Sequence, residues 1–134
     1  MSTGSSAPTA AAPSPVNPYA NDTPVVIEGL FTKKGGASAK VNGDPAWSID
    51  NAALGAIAPA QATDAAVVAA LKGTQPDPDA YFAILTPAAG ALGPATITLT
   101  GDSDVHGGAP KPVSTTCVIT FVDSEAAGVT ATPL

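Results

Sequence analysis

The stretch Ala95-Thr96-Ile97-Thr98-Leu99-Thr100 decides the fold class of this chain. Successive side chains of an extended backbone point to opposite sides, so Ile97 and Leu99 share one face and the threonines the other. A strand with one dry and one wet face belongs in an antiparallel sheet packed on a single side. Further along, Val113 to Val122 repeats the alternation and sets Cys117, Ile119 and Phe121 on one face. Cys117 is the only cysteine, which rules out an intrachain disulfide, and a free cysteine commonly packs as a small hydrophobe. It is read here as a core thiol, alongside Ile97, Leu99, Ile119 and Phe121.

Upstream the same period of two recurs in short pieces. Val25 to Thr32 reads as a strand ended by the turn Lys33 to Gly36, and Ala39 to Val41 as a second, closed by the turn Asn42-Gly43-Asp44-Pro45. Next comes Ala46-Trp47-Ser48-Ile49, whose tryptophan, the only one in the sequence, is read as the central core side chain. Leu54 to Ile57 and Tyr81 to Thr86 read as further strands. Asp64 to Lys72 admits two readings: a short helix capped by Thr63 or Asp64 and stopped by Gly73, or a strand through Val67 and Val68. About seven short strands without a sustained helix predict an all-β protein, an antiparallel β-sandwich.

Composition narrows the function classes. The 134 residues suffice for one domain plus a tail, and 13 glycines and 14 prolines call for many turns. Aromatics are only 4% of the residues, so the core must be built mainly from Val, Ile and Leu. The net charge of −6, with five lysines as the whole cationic complement, provides no surface for neutralising phosphates, and nucleic acid is not expected as a partner. No apolar run approaches the ~20 residues that span a bilayer, and the start lacks the basic and apolar blocks of a signal peptide. The protein therefore reads as soluble, made in the cytoplasm and without a membrane partner.

No cluster of residues invites a catalytic assignment. Asp102, Asp104 and His106 lie close together in the 101–112 loop, but the spacing matches no EF-hand, and Asp and Gly there suit turn geometry. His106 is the only histidine, and the serines sit mainly in turns or near the N-terminus, which leaves a nucleophile without a positioned base. Asp77 and Asp79 flank prolines in a loop, and Gly35 and Gly36 lack the spacing of a phosphate loop. Neither enzyme activity, nor a cofactor, nor a bound metal is expected.

The first 23 residues, MSTGSSAPTAAAPSPVNPYANDT, differ in kind from the rest. Prolines at 8, 13, 15 and 18 remove backbone donors and bias the segment toward extended, polyproline-like geometry. Such a segment has too little apolar surface to fold alone. Two units follow: an extended arm over residues 1–24 and a sandwich over 25–134. The arm reads either as a disordered tail or as a segment ordered against a partner, with Val16, Pro18 and Tyr19 as its contacts. Lys33 and Lys34 read as solvated turn charges or as a small basic contact for an acidic neighbour.

The order of these motifs resembles the bacterial immunoglobulin-like (Big-type) domains of bacterial surface proteins and phage virion proteins. The resemblance is carried by Pro45-Ala46-Trp47-Ser48-Ile49-Asp50, Leu54 to Ile57, Leu85-Thr86-Pro87-Ala88-Ala89-Gly90, Gly93 to Asp104, and Cys117 to Phe121 ahead of Glu125-Ala126. An insertion between Pro59 and Pro78 departs from the pattern. The resemblance implies an immunoglobulin-like sandwich and a role in attachment, with no catalytic residues to carry over. The expected function is that of a phage virion structural protein, a capsid decoration or cement protein that binds the major capsid protein through arm and sandwich. A tail or head-to-tail accessory protein and a host-surface carbohydrate-binding adhesion module are the alternatives, and self-association as a homo-oligomer is a further possible partnership.

Overall fold

A computed structural model describes residues 16–125 and 129–133. Among these residues nine strands and one helix follow in order: β1 Pro18–Ala20, β2 Val25–Gly29, β3 Phe31–Thr32, β4 Ser38–Ala39, β5 Asn42–Ile49, β6 Gly55–Ala60, α1 Ala65–Leu71, β7 Tyr81–Pro87, β8 Gly93–Asp102 and β9 Pro112–Val122. One sheet has the order β1-β9-β8-β5, the other β2-β7-β6, and β3 and β4 form a separate small hairpin. The longest ladder joins β8 and β9 from Gly93↔Phe121 to Asp102↔Pro112. It contains the alternating stretch that set the fold class, with Ala95, Ile97 and Leu99 buried and the threonines between them only partly so.

The core lies between the two sheets. Val25, Ile27 and Leu85 from the three-stranded sheet meet Ile97, Ile119 and Phe121 from the four-stranded one. The strand orders β2-β7-β6 and β5-β8-β9 correspond to B-E-D and C-F-G of an immunoglobulin-like sandwich. The first strand departs from it. In that pattern it lies beside B, whereas here β1 runs parallel to the last strand, β9.

Several local expectations are corrected. Pro18–Ala20, within the segment 1–24 expected as an arm, pairs with β9 as a sheet strand. The segment expected as one strand from Val25 to Thr32 breaks at Leu30, where the backbone leaves the large ladder to form the β3–β4 hairpin. Asn42 to Pro45 belongs to β5 rather than to a turn. Its register jumps from Asn42↔Asp102 to Ala46↔Thr100, so the residues that looked like a turn form a bulge.

The helical reading holds for Ala65–Leu71, where Asp64 is the N-cap residue and Lys72 takes the left-handed conformation at φ 50°. Gly73 follows at φ 82°, in keeping with the glycine that commonly ends a helix. The helix packs on β2 and buries Val67 completely.

Two core assignments also change. Trp47 and Cys117 pack against the core but are only partly buried, while Ile97, Leu99, Ile119 and Phe121 are buried. The reason is position. Trp47 stands on β5, the outer strand of its sheet, and Cys117 on the part of β9 beyond its pairing with β1, which covers only Thr120 to Val122.

Candidate functional site

Three surfaces stand out: the root of the arm, the 103–111 loop, and a groove beside Trp47. At the arm root, β1 lies along β9 with Pro18↔Thr120, Tyr19↔Phe121 and Ala20↔Val122 in register. Three residues make a marginal strand, and two asparagines hold it at both ends. The Asn17 side chain donates to the Val118 carbonyl at 2.7 Å, and the Asn21 side chain donates to the Ala91 carbonyl at 2.8 Å. Asn17 sits at φ 46°, a left-handed geometry that asparagine tolerates better than most residues.

The three expected arm contacts are thus part of the sheet edge or adjoin it. Val16 is 57% and Tyr19 43% exposed, and Pro18 is exposed as well. Beside them a groove of about 720 Å³ is lined by Asn21, Asp22, Leu92, Asp123 and Glu125 among others. It is acidic, and Leu92 stands out from it 60% exposed.

Lys33 and Lys34 do not join this surface. They are exposed in the β3–β4 turn, which the Lys33 amide closes by donating to the Ala37 carbonyl at 2.7 Å. That hairpin sits at the Gly101 end of β8, where Phe31 packs so close that a Cβ on Gly101 would lie 2.8 Å from its ring. β1 lies toward the Gly93 end, about 26 Å away at the usual rise per strand residue.

In the 103–111 loop the carboxylates serve the backbone. Asp102 Oδ1 accepts the amides of Lys111 at 2.9 Å and Asp104 at 3.0 Å, and Asp104 Oδ1 accepts that of His106 at 2.9 Å. The bonds to the amides two residues on, Asp104 and His106, are Asx turns, the geometry expected of Asp in a tight loop, and the bond from Lys111 ties the two ends of the loop together. Among the described residues no group of three or more His, Cys, Asp and Glu is placed to hold a metal ion.

The amide bonds, that of Lys111 first and that of Asp104 second, hold Asp102 below its ordinary carboxyl value of 3.8. A lowered folded pKa means that this loop contact is intact above the ordinary value and is lost as pH falls through the folded one. In an NMR titration the Lys111 amide shift should therefore move with a midpoint below 3.8. A midpoint at or above that value would contradict the assignment.

The third surface was not anticipated. Between the outer strands β5 and β6 lies a groove of about 560 Å³, bordered by Trp47, Tyr81, Pro59, Lys40, Asp44 and Gln61 among others. Tyr81 is held in place on several sides. Its hydroxyl accepts the Val41 amide at 3.1 Å, Phe31 meets its ring edge-on with centroids 5.8 Å apart, and Lys40 Nζ lies 4.6 Å from the ring centre. The benzo edge of Trp47 packs where a Cβ on Gly29 would approach to 3.2 Å. The sequence signalled an inward-facing Trp47 but not that its strand would lie at the sheet edge, because strand order depends on distant pairing. Lys40 carried no local signal at all.

Compared with protein-family models, curated proteins and solved structures, the sequence and fold have no match in any of the three. The fold itself assigns the protein to the two-sheet β-sandwiches, and among the described residues no polar or charged side chain is buried. No described helix is long and apolar enough to cross a membrane.

Proposed function

We propose that this protein is a phage virion structural protein, a capsid decoration protein that holds the shell through its N-terminal arm and the adjoining sandwich edge. The observation that carries the reading is the fixed arm root. β1 and its two asparagine clamps anchor the backbone at the sandwich edge, so residues 1–15 leave from a defined point beside exposed Val16, Tyr19 and Leu92. A proline-rich segment launched from a rigid edge suits attachment, since each residue can contact a partner and its extended bias lowers the ordering cost. The resemblance in motif order to immunoglobulin-like virion domains supports the same reading.

The arm root also dictates the right truncation. Cutting at residue 23 would strip β1 from its sheet, whereas removing residues 1–15 leaves every described contact in place. The full-length protein is expected to co-sediment with shells of its major capsid protein, and the form lacking 1–15 to bind on the order of 100-fold more weakly, a factor worth about 2.7 kcal/mol. Equal binding by the two forms would remove the arm from the mechanism. Failure of the full-length protein to sediment would remove the decoration role.

The groove beside Trp47 favours a second reading, a carbohydrate-binding adhesion module. Sugar recognition commonly pairs an aromatic face with nearby polar side chains, and Trp47 shares its groove with Lys40, Asp44 and Gln61. Because Trp47 is the sole tryptophan, its fluorescence reports on this groove alone. A glycan-array hit that shifts the emission, and a Trp47→Ala variant that loses the hit, would support adhesion. An array without hits would remove the adhesion reading.

A further inference from the structure

The sequence has four asparagines, and three of them are restrained or poorly placed for reaction with their own backbone. Asn17 precedes proline, which has no amide N–H, and its side chain is bound to Val118. Asn21 is bound to Ala91, and the side-chain oxygen of Asn51 accepts the Ala53 amide at 3.0 Å. Asn42 differs in its side-chain bonding and in the residue that follows it. It is exposed, its only side-chain bond among the described residues is a 3.4 Å contact to Asp102 Oδ2, and the next residue is glycine.

Gly43 lies in the β5 bulge, where Gly43, Asp44 and Pro45 have no register partner on β8. Its φ is +69°, and a Cβ built there would meet nothing within 4 Å. The space beside the Gly43 Cα is therefore open, the residue has no side chain to shield its own nitrogen, and glycine can adopt the backbone angles that ring closure requires.

We infer that Asn42-Gly43 is a site of spontaneous modification in the folded protein. The Gly43 amide nitrogen attacks Cγ of Asn42 and a new C–N bond forms. The bond from Cγ to Nδ2 then breaks, and ammonia leaves with the amide proton. Water opens the resulting succinimide at either carbonyl. One opening gives aspartate, the other isoaspartate with an extra methylene in the main chain.

The location gives the change a consequence. The new carboxylate stands beside Asp102, which loses the Asn42 donor, and near Asp44 on the groove wall. Like charges at that spacing repel, and the isoaspartate form shifts the segment leading to Pro45 and Trp47. This chemistry is independent of either proposed function.

The test uses the full-length protein held folded in mildly alkaline buffer, with a parallel sample unfolded in urea. Trypsin releases residues 41–72 as one peptide, since Lys40 and Lys72 bound it, and that peptide contains both Asn42 and Asn51. Fragment masses should show the NH2-to-OH exchange at Asn42 in the folded sample, about tenfold or more ahead of Asn51, because glycine leaves its nitrogen unhindered. Isoaspartyl methyltransferase should label the product, and an Asn42→Gln variant should abolish both signals. Folded protein that stays intact at Asn42 while the urea sample converts would overturn the inference, as would equal conversion at Asn51.

Discussion

Replacing Phe121 by alanine is expected to destabilise the domain by about 3–5 kcal/mol, measured as a lower urea midpoint at unchanged slope. Phe121 is 1% exposed and projects from β9 into the space between the sheets. Its cross-strand partner on β8 is Gly93, which leaves room for the ring, and its partner on the other side is Tyr19 of β1. Truncation thus opens a cavity in the core between the sheets. Domains of this size are typically stable by about 5–15 kcal/mol, so the substitution removes a large share of the total while leaving a folded baseline for the titration. Trp47→Ala is the internal contrast. With Trp47 only partly buried, its loss should be about 1–2 kcal/mol, below the range for a fully buried aromatic. A smaller loss for Phe121 than for Trp47 would show that the core is centred elsewhere.

Leu85→Ala should cost about 2–5 kcal/mol by the same measurement. Leu85 is fully buried on β7, the middle strand of its sheet, with Val25 and Ile57 directly opposite on the two flanking strands. A cavity at the centre of a ladder has little freedom to collapse, because backbone pairing on both sides fixes the walls. Leu85→Met conserves volume and should cost less than about 1.5 kcal/mol. If both substitutions cost alike, shape rather than volume would govern the site.

Much of the fold was legible because strand alternation is local. The pattern in Ala95 to Thr100 and in Val113 to Val122 identified β8 and β9 along with four of the buried residues, Ile97, Leu99, Ile119 and Phe121. The helix over Ala65–Leu71 was visible only as one of two options, since Val67 and Val68 suit a strand equally well until Val67 is covered. What escaped the sequence depends on partners far away along it. Pro18–Ala20 has no alternation of its own and is a strand only because β9 lies beside it. Asn42 to Pro45 reads as a turn by every local rule, yet Asn42 pairs across to Asp102, sixty residues away. The Trp47 groove was hidden for the same reason: alternation tells which side a residue faces but not whether its strand lies in the middle of a sheet or at its rim.

The parallel pairing of β1 with β9 also sets how the domain meets mechanical load. Tension applied through the arm draws β1 one way along its axis, while tension through the opposite terminus draws β9 the other way. Because the two strands point in the same direction, their hydrogen bonds are strained in shear and together. An antiparallel pair pulled at its open end would instead unzip bond by bond. The bonds sharing this load include those from the Thr120 amide to the Asn17 carbonyl at 3.1 Å and from the Asn21 amide to the Val122 carbonyl at 3.0 Å. A pull between the two ends must therefore rupture this clamp as a unit before β9, which carries Phe121 between the clamp bonds, can be drawn out of the sandwich.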